Sequence, residues 1–218
     1  GGVLDGFSFR LGNLALGNPD NAACLELMGQ FDFVCAKPCR VLFANRGAQA
    51  CLNGKSLLCG QMVDLQEGDL LRTRPPHLGF WNLLCVQGGV DVPELMGSGG
   101  TCLAAGFGGF QGRALQVGDE LHFARQFATS IRPGIRLAMP LARAEHSTRL
   151  VLHLLPGPEF FELTENSQDL LVHQFFTLGM LSSRMGYRLQ GAESPLSLKH
   201  AVSLRSHAVH PGVVQLTP

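Results

Sequence analysis

A mainly β fold is what this sequence predicts, and three observations carry it. The 27 glycines and 12 prolines fall between short apolar runs instead of gathering in one linker, the pattern of many strands joined by tight turns. At 218 residues and 45% hydrophobic content the chain can bury a real core, as one large all-β domain or two small ones. The pattern L-Q-x-G-D-x-L also occurs twice, as "LQEGDLL" at 65–71 and "LQVGDEL" at 115–121. Each copy reads as a strand, a glycine turn and a strand, with Gly68 and Gly118 supplying positive φ and Asp69 and Asp119 bonding the local backbone.

The first element is the exception to β structure. In "DGFSFRLGNLALGNP", Phe7, Leu11 and Leu14 recur at helical spacing behind an Asp5 cap, and Gly17 followed by Pro19 stops the run. Strand-like runs follow: "AACLEL", "RVLFAN", "QACLNGKSLLC" with Asn53-Gly54 as a two-residue hairpin turn, and "WNLLCVQGG". Composition changes over 124–148, where arginines interrupt the apolar pattern and Pro133-Gly134 breaks it, so the expected halves are 1–135 and 136–218. Beyond that boundary, "RLVLHLLPGPEFF" predicts a strand entering a turn, "NSQDLLVHQFF" a short helix capped by Asn166 or Ser167, and "SSRMGYRL" a strand.

Charge and cysteine usage exclude several function classes. Seventeen basic and seventeen acidic residues cancel, and no Lys/Arg block follows a phosphate backbone, so nucleic acid is not the expected partner. No apolar run reaches the roughly 18 residues of a membrane span, and the first residues lack a signal-peptide pattern, so a cytoplasmic protein is expected. The seven cysteines are scattered without C-x-x-C, which indicates free thiols and neither a zinc site nor a disulfide framework.

Motif chemistry is equally restrictive. The cluster "GSGGTCLAAGFGGFQGRAL" fits neither G-x-G-x-x-G nor G-x-x-x-x-G-K-[ST], and Met96 stands where G-x-S-x-G would need glycine before Ser98. Eight histidines contain no H-E-x-x-H; His200, His207 and His210 cluster but lack a ligand set, so no metal is expected.

The stretch "SSRMGYRLQG" at 182–191 is the least bland polar feature. As a strand it would send Met185, Tyr187 and Leu189 to an apolar face and Ser182, Arg184, Gly186, Arg188 and Gln190 to the other. Gly186 would leave space over the backbone for an anion held by both guanidinium groups. The other reading is an ordinary solvated strand face.

Five segments together carry a family resemblance: "GGVDVPELMGSGGT", "GFQGRALQVGDEL", "LPGPEF", "RMGYRLQG" and "HPGVVQ". In that order they resemble the motifs of the biotin-dependent carboxyltransferase, or allophanate hydrolase subunit 2, family, which includes the C component of the bacterial 5-oxoprolinase. Asp5, Asn13, Gly17, Asn18 and Glu26 also stand at matching positions of the family's N-terminal run.

The resemblance implies two cyclophilin-like β-barrel halves with a few short helices. It implies a partner of the allophanate hydrolase subunit 1 type, which is the B component of 5-oxoprolinase, and with it the A component. The implied reaction is ATP-dependent hydrolysis of 5-oxoproline to glutamate or, with biotin, carboxyl transfer to a urea-like acceptor. ATP would be used elsewhere in the complex; no A-M-K-M sequence occurs here, so biotin would come from a partner.

The sequence departs from the family pattern in "GSGGT", where Gly100 replaces a hydroxyl residue, and in the extra residue of "VVQLTP". Family segments expected before Gly2 and after the glutamine strand are not in this sequence, so it is expected to be either a fragment of a longer protein or a truncation whose second half lacks closing strands and leaves an unpaired sheet edge.

On this resemblance the substrate-binding residues are Arg184, Arg188, Tyr187, Gln215, Ser98 and Thr101. The arginines would hold a carboxylate, and Gln215 and the hydroxyls an amide or ureido group. Alternation puts Tyr187 opposite the arginines, as a core residue whose hydroxyl reaches a partner. No residue reads as a strong general base; Glu159 is the candidate, and its place in a turn argues for a local role. A non-catalytic module that binds the subunit 1 type partner is the third reading, beside 5-oxoproline hydrolysis and carboxyl transfer.

Overall fold

A computed structural model of the chain describes residues 2–44, 47–75, 81–123, 136–137, 151–183, 186–200 and 208–216. The chain divides into two compact units, Gly1–Ala144 and Glu145–Pro218. The boundary expected between 135 and 136 falls in a stretch, 124–150, of which only Arg136 and Leu137 are described.

The first unit opens on helix α1 (Gly6–Ala15) and continues through β1 (Leu25–Leu27), β2 (Phe31–Val34), β3 (Cys39–Phe43), β4 (Gln49–Leu52), β5 (Lys55–Leu57), β6 (Met62–Leu65), β7 (Leu70–Arg74) and β8 (Asn82–Val86). These strands form two four-stranded sheets, in the orders β1-β8-β3-β6 and β2-β7-β4-β5. Neighbouring strands are antiparallel, with registers such as Leu42 opposite Cys85 and Cys51 opposite Arg72.

Side-chain alternation divides the apolar residues between two cores. Leu27, Val41, Phe43, Leu65, Leu71, Leu84 and Val86 come from both sheets and fill the space between them. Leu42, Met62, Leu83 and Cys85 point to the opposite face of the first sheet, where Leu16 and Ala44 complete a second core. All five residues of β8 are buried, and the apolar run of Leu83, Leu84, Cys85 and Val86 after Asn82 is the signature of a strand covered on both sides.

Helix α1 covers that outer face. The Asp5 carboxylate accepts the Ser8 N–H at 3.0 Å, as the sequence predicts for a cap. At the other end Gly17 has φ 73°, and the N–H groups of Gly17 and Asn18 donate to the carbonyls of Leu14 and Asn13, a Schellman ending. The buried face differs from the periodic one: Ser8, Gly12 and Asn13 are buried, whereas Phe7 and Leu14 are 63% and 60% exposed. The reason is close approach. A Cβ on Gly12 would lie 2.6 Å from Ala44 Cβ and 2.7 Å from Cys85 Sγ, so the helix backbone presses onto the sheet.

A buried amide network fixes the helix end to β8. Asn13 donates to the Ala22 carbonyl at 2.9 Å. Asn18 donates to the Asn13 side chain at 3.0 Å and to the Val86 carbonyl at 2.8 Å, while accepting the Gly88 N–H at 2.7 Å. Glu26 accepts the Leu4 N–H at 2.8 Å.

The β4–β5 hairpin turns at Asn53 and Gly54, with φ 48° and 83°, as expected for this pair. Asp69 accepts the Gln66 N–H at 2.7 Å between β6 and β7, which is turn chemistry, and its partner Asn53 ties that turn to the hairpin. The second copy of the motif keeps the turn but not the strands. Gly118 has φ 91° and Asp119 accepts the Gln116 N–H at 2.6 Å, yet neither flank is part of a strand. β2, which sequence patterning did not single out, pairs with β7, and Asp32 holds Arg72 through two hydrogen bonds of 2.8 and 2.7 Å.

The second unit contains a 3₁₀ turn (Pro158–Glu162), helix α2 (Glu165–His173) and a two-stranded antiparallel ribbon of β9 (Phe176–Leu178) and β10 (Leu189–Gly191). Two expectations need correction here. Residues 151–157 form no strand before the turn. Thr164, not Asn166 or Ser167, caps α2, its hydroxyl accepting the Ser167 N–H at 3.2 Å. Ser167 is instead buried, with its hydroxyl accepting the Ser197 N–H at 2.8 Å. The fold class itself is as predicted, mostly β; among the described residues it consists of four-stranded antiparallel sheets, a two-stranded ribbon and two α-helices.

Gly12→Ala is expected to destabilise the chain, although alanine is the better helix former by about 1 kcal/mol. Overpacking of this kind costs typically about 1–3 kcal/mol, so a lowered urea midpoint is the expected result. Gly6→Ala, where an added methyl meets nothing within 4 Å, leaves the midpoint unchanged or slightly raised.

Candidate functional site

The sequence-predicted residues lie in both units: Ser98 and Thr101 in the first, and Tyr187, Arg188 and Gln215 in the second. Arg184 lies outside the described residues, as do Met185 and His207.

Ser98 and Thr101 belong to a loop that glycine folds back on itself. Leu95 and Ser98 exchange backbone hydrogen bonds of 2.9 and 3.1 Å across a tight turn whose central residues, Met96 and Gly97, have φ 54° and 74°. The Cys102 N–H then donates to the Phe107 carbonyl at 2.9 Å, returning the chain toward Thr101. Gly108 and Gly109 pack where side chains cannot go: a Cβ on Gly108 would meet the Gly100 carbonyl at 2.6 Å, and one on Gly109 would overlap Thr101. Both hydroxyls are used locally, Ser98 Oγ accepting the Gly100 N–H at 3.1 Å and Thr101 Oγ1 accepting the Phe110 N–H at 3.2 Å. These bonds use the hydroxyl oxygens as acceptors, so the hydrogen of the exposed Ser98 hydroxyl can be donated to a ligand.

The loop is closed by an ion pair that sequence reasoning missed. Arg113 donates to both oxygens of Asp119, at 2.7 and 2.8 Å, and its guanidinium lies 5.2 Å from the centre of the Phe110 ring. The Arg113 hydrogen bond, then the Gln116 N–H, hold the Asp119 carboxyl at about 2, well below the usual carboxylate value. The motif pattern marked Asp119 as a turn residue; only the folded loop shows that Arg113 reaches it.

In the second unit the candidate strand at 182–191 is broken. Ser183 and Gly186 pair with each other in an antiparallel bridge, so strand alternation does not run through from Ser182 to Leu189. Only Leu189–Gly191 belongs to β10. The expected apolar face is not core: Tyr187 is 54% exposed and Leu189 45%. Arg188 is also exposed, while its backbone N–H donates to Ser182 Oγ at 3.0 Å and its carbonyl accepts the Gly179 N–H at 2.7 Å. Tyr187 and Arg188 are thus presented together beside the ribbon, and Gln215 and Glu159 are exposed as well.

Gln174 positions this ribbon and had no visible sequence signal. It is buried after α2, with its carbonyl oxygen accepting the Glu193 N–H at 3.1 Å and its amide donating to the Ser194 carbonyl at 3.4 Å. A Cβ on Gly191 would lie 2.8 Å from that amide, which is why β10 ends on glycine.

No group of three or more His, Cys, Asp or Glu side chains able to hold a metal ion occurs among the described residues. No helix among them is long and apolar enough to cross a membrane.

Comparison with known proteins places these features in a family context. The model of the carboxyltransferase domain, subdomain A and B, matches residues 1–218. The C component of 5-oxoprolinase from Escherichia coli (strain K12) is 34% identical over 218 residues, covering 99% of this chain and 67% of that protein. The urea amidolyase of Lachancea kluyveri is 33% identical over 135 residues, covering 61% of this chain and 7% of that protein. The solved structure of TTHA0988 superposes with a TM-score of 0.72 at 28% identity, over 89% of this chain and 68% of that one.

The Arg113–Asp119 pair predicts an acid-sensitive loop. Because the folded-state value of Asp119 lies below the unfolded one, its contribution is complete above the ordinary value of 3.8 and is lost as pH falls toward about 2. Amide exchange across 109–119 is expected to accelerate over that window, and Asp119→Asn is expected to show the faster exchange already at neutral pH.

Proposed function

This chain belongs to the carboxyltransferase domain family, subdomains A and B, and from that premise we propose that it acts as one component of an ATP-dependent 5-oxoprolinase-type complex, hydrolysing 5-oxoproline to glutamate. The observation that carries this reading is the match to a 5-oxoprolinase C component across nearly the whole chain, whereas the match to the Lachancea kluyveri urea amidolyase covers 61% of it.

The chain contributes a binding surface and works only with partners, the B type and A type components of such a complex. ATP is used on those partners, in the cytoplasm. Arg188, together with Arg184, holds the substrate carboxylate by charge-assisted hydrogen bonds. Tyr187 takes a direct part in this surface, because it stands exposed beside Arg188 instead of in the core. Gln215, in the same unit, bonds the amide; Ser98 and Thr101, in the first unit, are candidate amide-binding hydroxyls in their own right. A second reading is favoured by the family's own description and by the urea amidolyase relative: carboxyl transfer to a urea-like acceptor, with biotin brought by another protein.

Reconstitution with the B and A type components tests the proposal by following glutamate formation from 5-oxoproline and ATP. Loss of a hydrogen bond to a charged group costs about 1.5–3 kcal/mol, so Arg188→Ala is expected to lower kcat/KM roughly 10- to 100-fold, mainly through KM. Undiminished turnover in Arg188→Ala and Arg184→Ala rejects the anion clamp. Biotin-dependent carboxylation of urea in place of glutamate formation supports the second reading.

A further inference from the structure

Among the cysteines of the first unit, Cys35 and Cys39 stand out by position. Cys35 follows β2 in the second sheet and Cys39 begins β3 in the first, so they flank the corner where the chain crosses between sheets. Their sulfurs are 4.0 Å apart, and Cys35 Sγ also donates to the Lys37 carbonyl at 2.9 Å. Both side chains border the core between the sheets, while Ala36, Lys37 and Pro38 between them are exposed.

The framework, not the short connecting loop, holds the two residues in place. The Cys35 N–H donates to the Asp69 carbonyl at 2.9 Å, and the Gly68 N–H donates to the Cys35 carbonyl at 2.8 Å. Cys39 pairs with Leu65 at the end of β6. Both cysteines are therefore anchored, through their backbones, at the two ends of the same β6–β7 turn. A disulfide has its sulfurs at about 2.0 Å, so about 2 Å of approach separates the observed pair from a bonded one.

We propose that Cys35 and Cys39 form a reversible redox dithiol, oxidised to an intramolecular disulfide by a small peroxide that reaches them from the side of the exposed 36–38 loop. Burial first, then the neighbouring Cys35, pushes the Cys39 thiol up to about 12. Attack starts at one of the two sulfurs. That sulfur takes one peroxide oxygen as its own proton is lost; the O–O bond breaks, hydroxide leaves and is protonated to water, and a sulfenic acid forms. The other cysteine then attacks that sulfur, the S–O bond breaks, the S–S bond forms, and the hydroxyl leaves as water with the second thiol's proton. In balance, two thiols and one hydrogen peroxide give one disulfide and two waters. The disulfide would staple the two sheets at their crossing corner, and a dithiol reductant restores the pair.

The experiment treats the reduced, desalted full chain with hydrogen peroxide, alkylates it in denaturant without reductant, and maps the peptide carrying both residues. The expected product has lost two hydrogens, is alkylated at neither Cys35 nor Cys39, and regains both alkylation sites after dithiothreitol. In at least one of Cys39→Ser and Cys35→Ser the same treatment is expected to leave the remaining sulfur as a sulfenic acid that dimedone traps, because the second sulfur is missing. Full alkylation of both residues in the treated wild-type chain overturns the proposal. So does peroxide oxidation that ends in sulfinic acid, or in pairing of either sulfur with a different cysteine.

Discussion

Burial of β8 on both faces is the constraint on which the first unit depends. A strand with Leu84 and Val86 facing one core and Leu83 and Cys85 facing another needs a sheet on one side and a further layer on the other. Each such side chain contributes about 1.5–3 kcal/mol when removed from water. Exposure of either face would therefore cost several of these contributions together. The second sheet supplies one cover and α1 the other. The amide groups of Asn13 and Asn18 then satisfy backbone groups at the rim that neither layer reaches, including the Val86 carbonyl and the Gly88 N–H.

Close packing also explains why the helix turns its less apolar side inward. Gly12 removes the side chain that would hold the helix away from Ala44 and Cys85. The cores then gain van der Waals contact with the helix backbone itself. Phe7 and Leu14 are left outside, although their spacing is the strongest helical signal in the segment. Periodicity identified the helix and misjudged its buried face, because an apolar spacing records amphipathicity and not the fit of one backbone against another.

Legibility of the candidate site was uneven for a related reason. Features set by one residue's own conformational preference were readable: the Asp5 cap, the Asn53-Gly54 turn, and the turn roles of Gly68, Asp69, Gly118 and Asp119. Features set by two distant residues meeting were not. Arg113 holds Asp119 across a folded loop, and Gln174 holds residues 193 and 194 of another segment. The strand inferred over 182–190 failed because alternation describes a strand only once its hydrogen-bond partner is known, and Ser183 bonds Gly186 instead of a neighbouring strand. Tyr187 consequently stands in the open beside Arg188, where unbroken alternation would have put it on the opposite face.

By itself the sequence determined that the chain is mainly β, where most of its turns lie, and which family its ordered motifs resemble. Those properties reside in local preferences and in residue identities, which need no partner to be read. Tertiary structure alone decided the two-sheet order, the buried face of α1, the closure of the glycine loop by Arg113 and Asp119, and the facing of Cys35 toward Cys39. Each of these is a contact between segments, and its existence depends on packing that brings distant parts of the chain within a few ångströms.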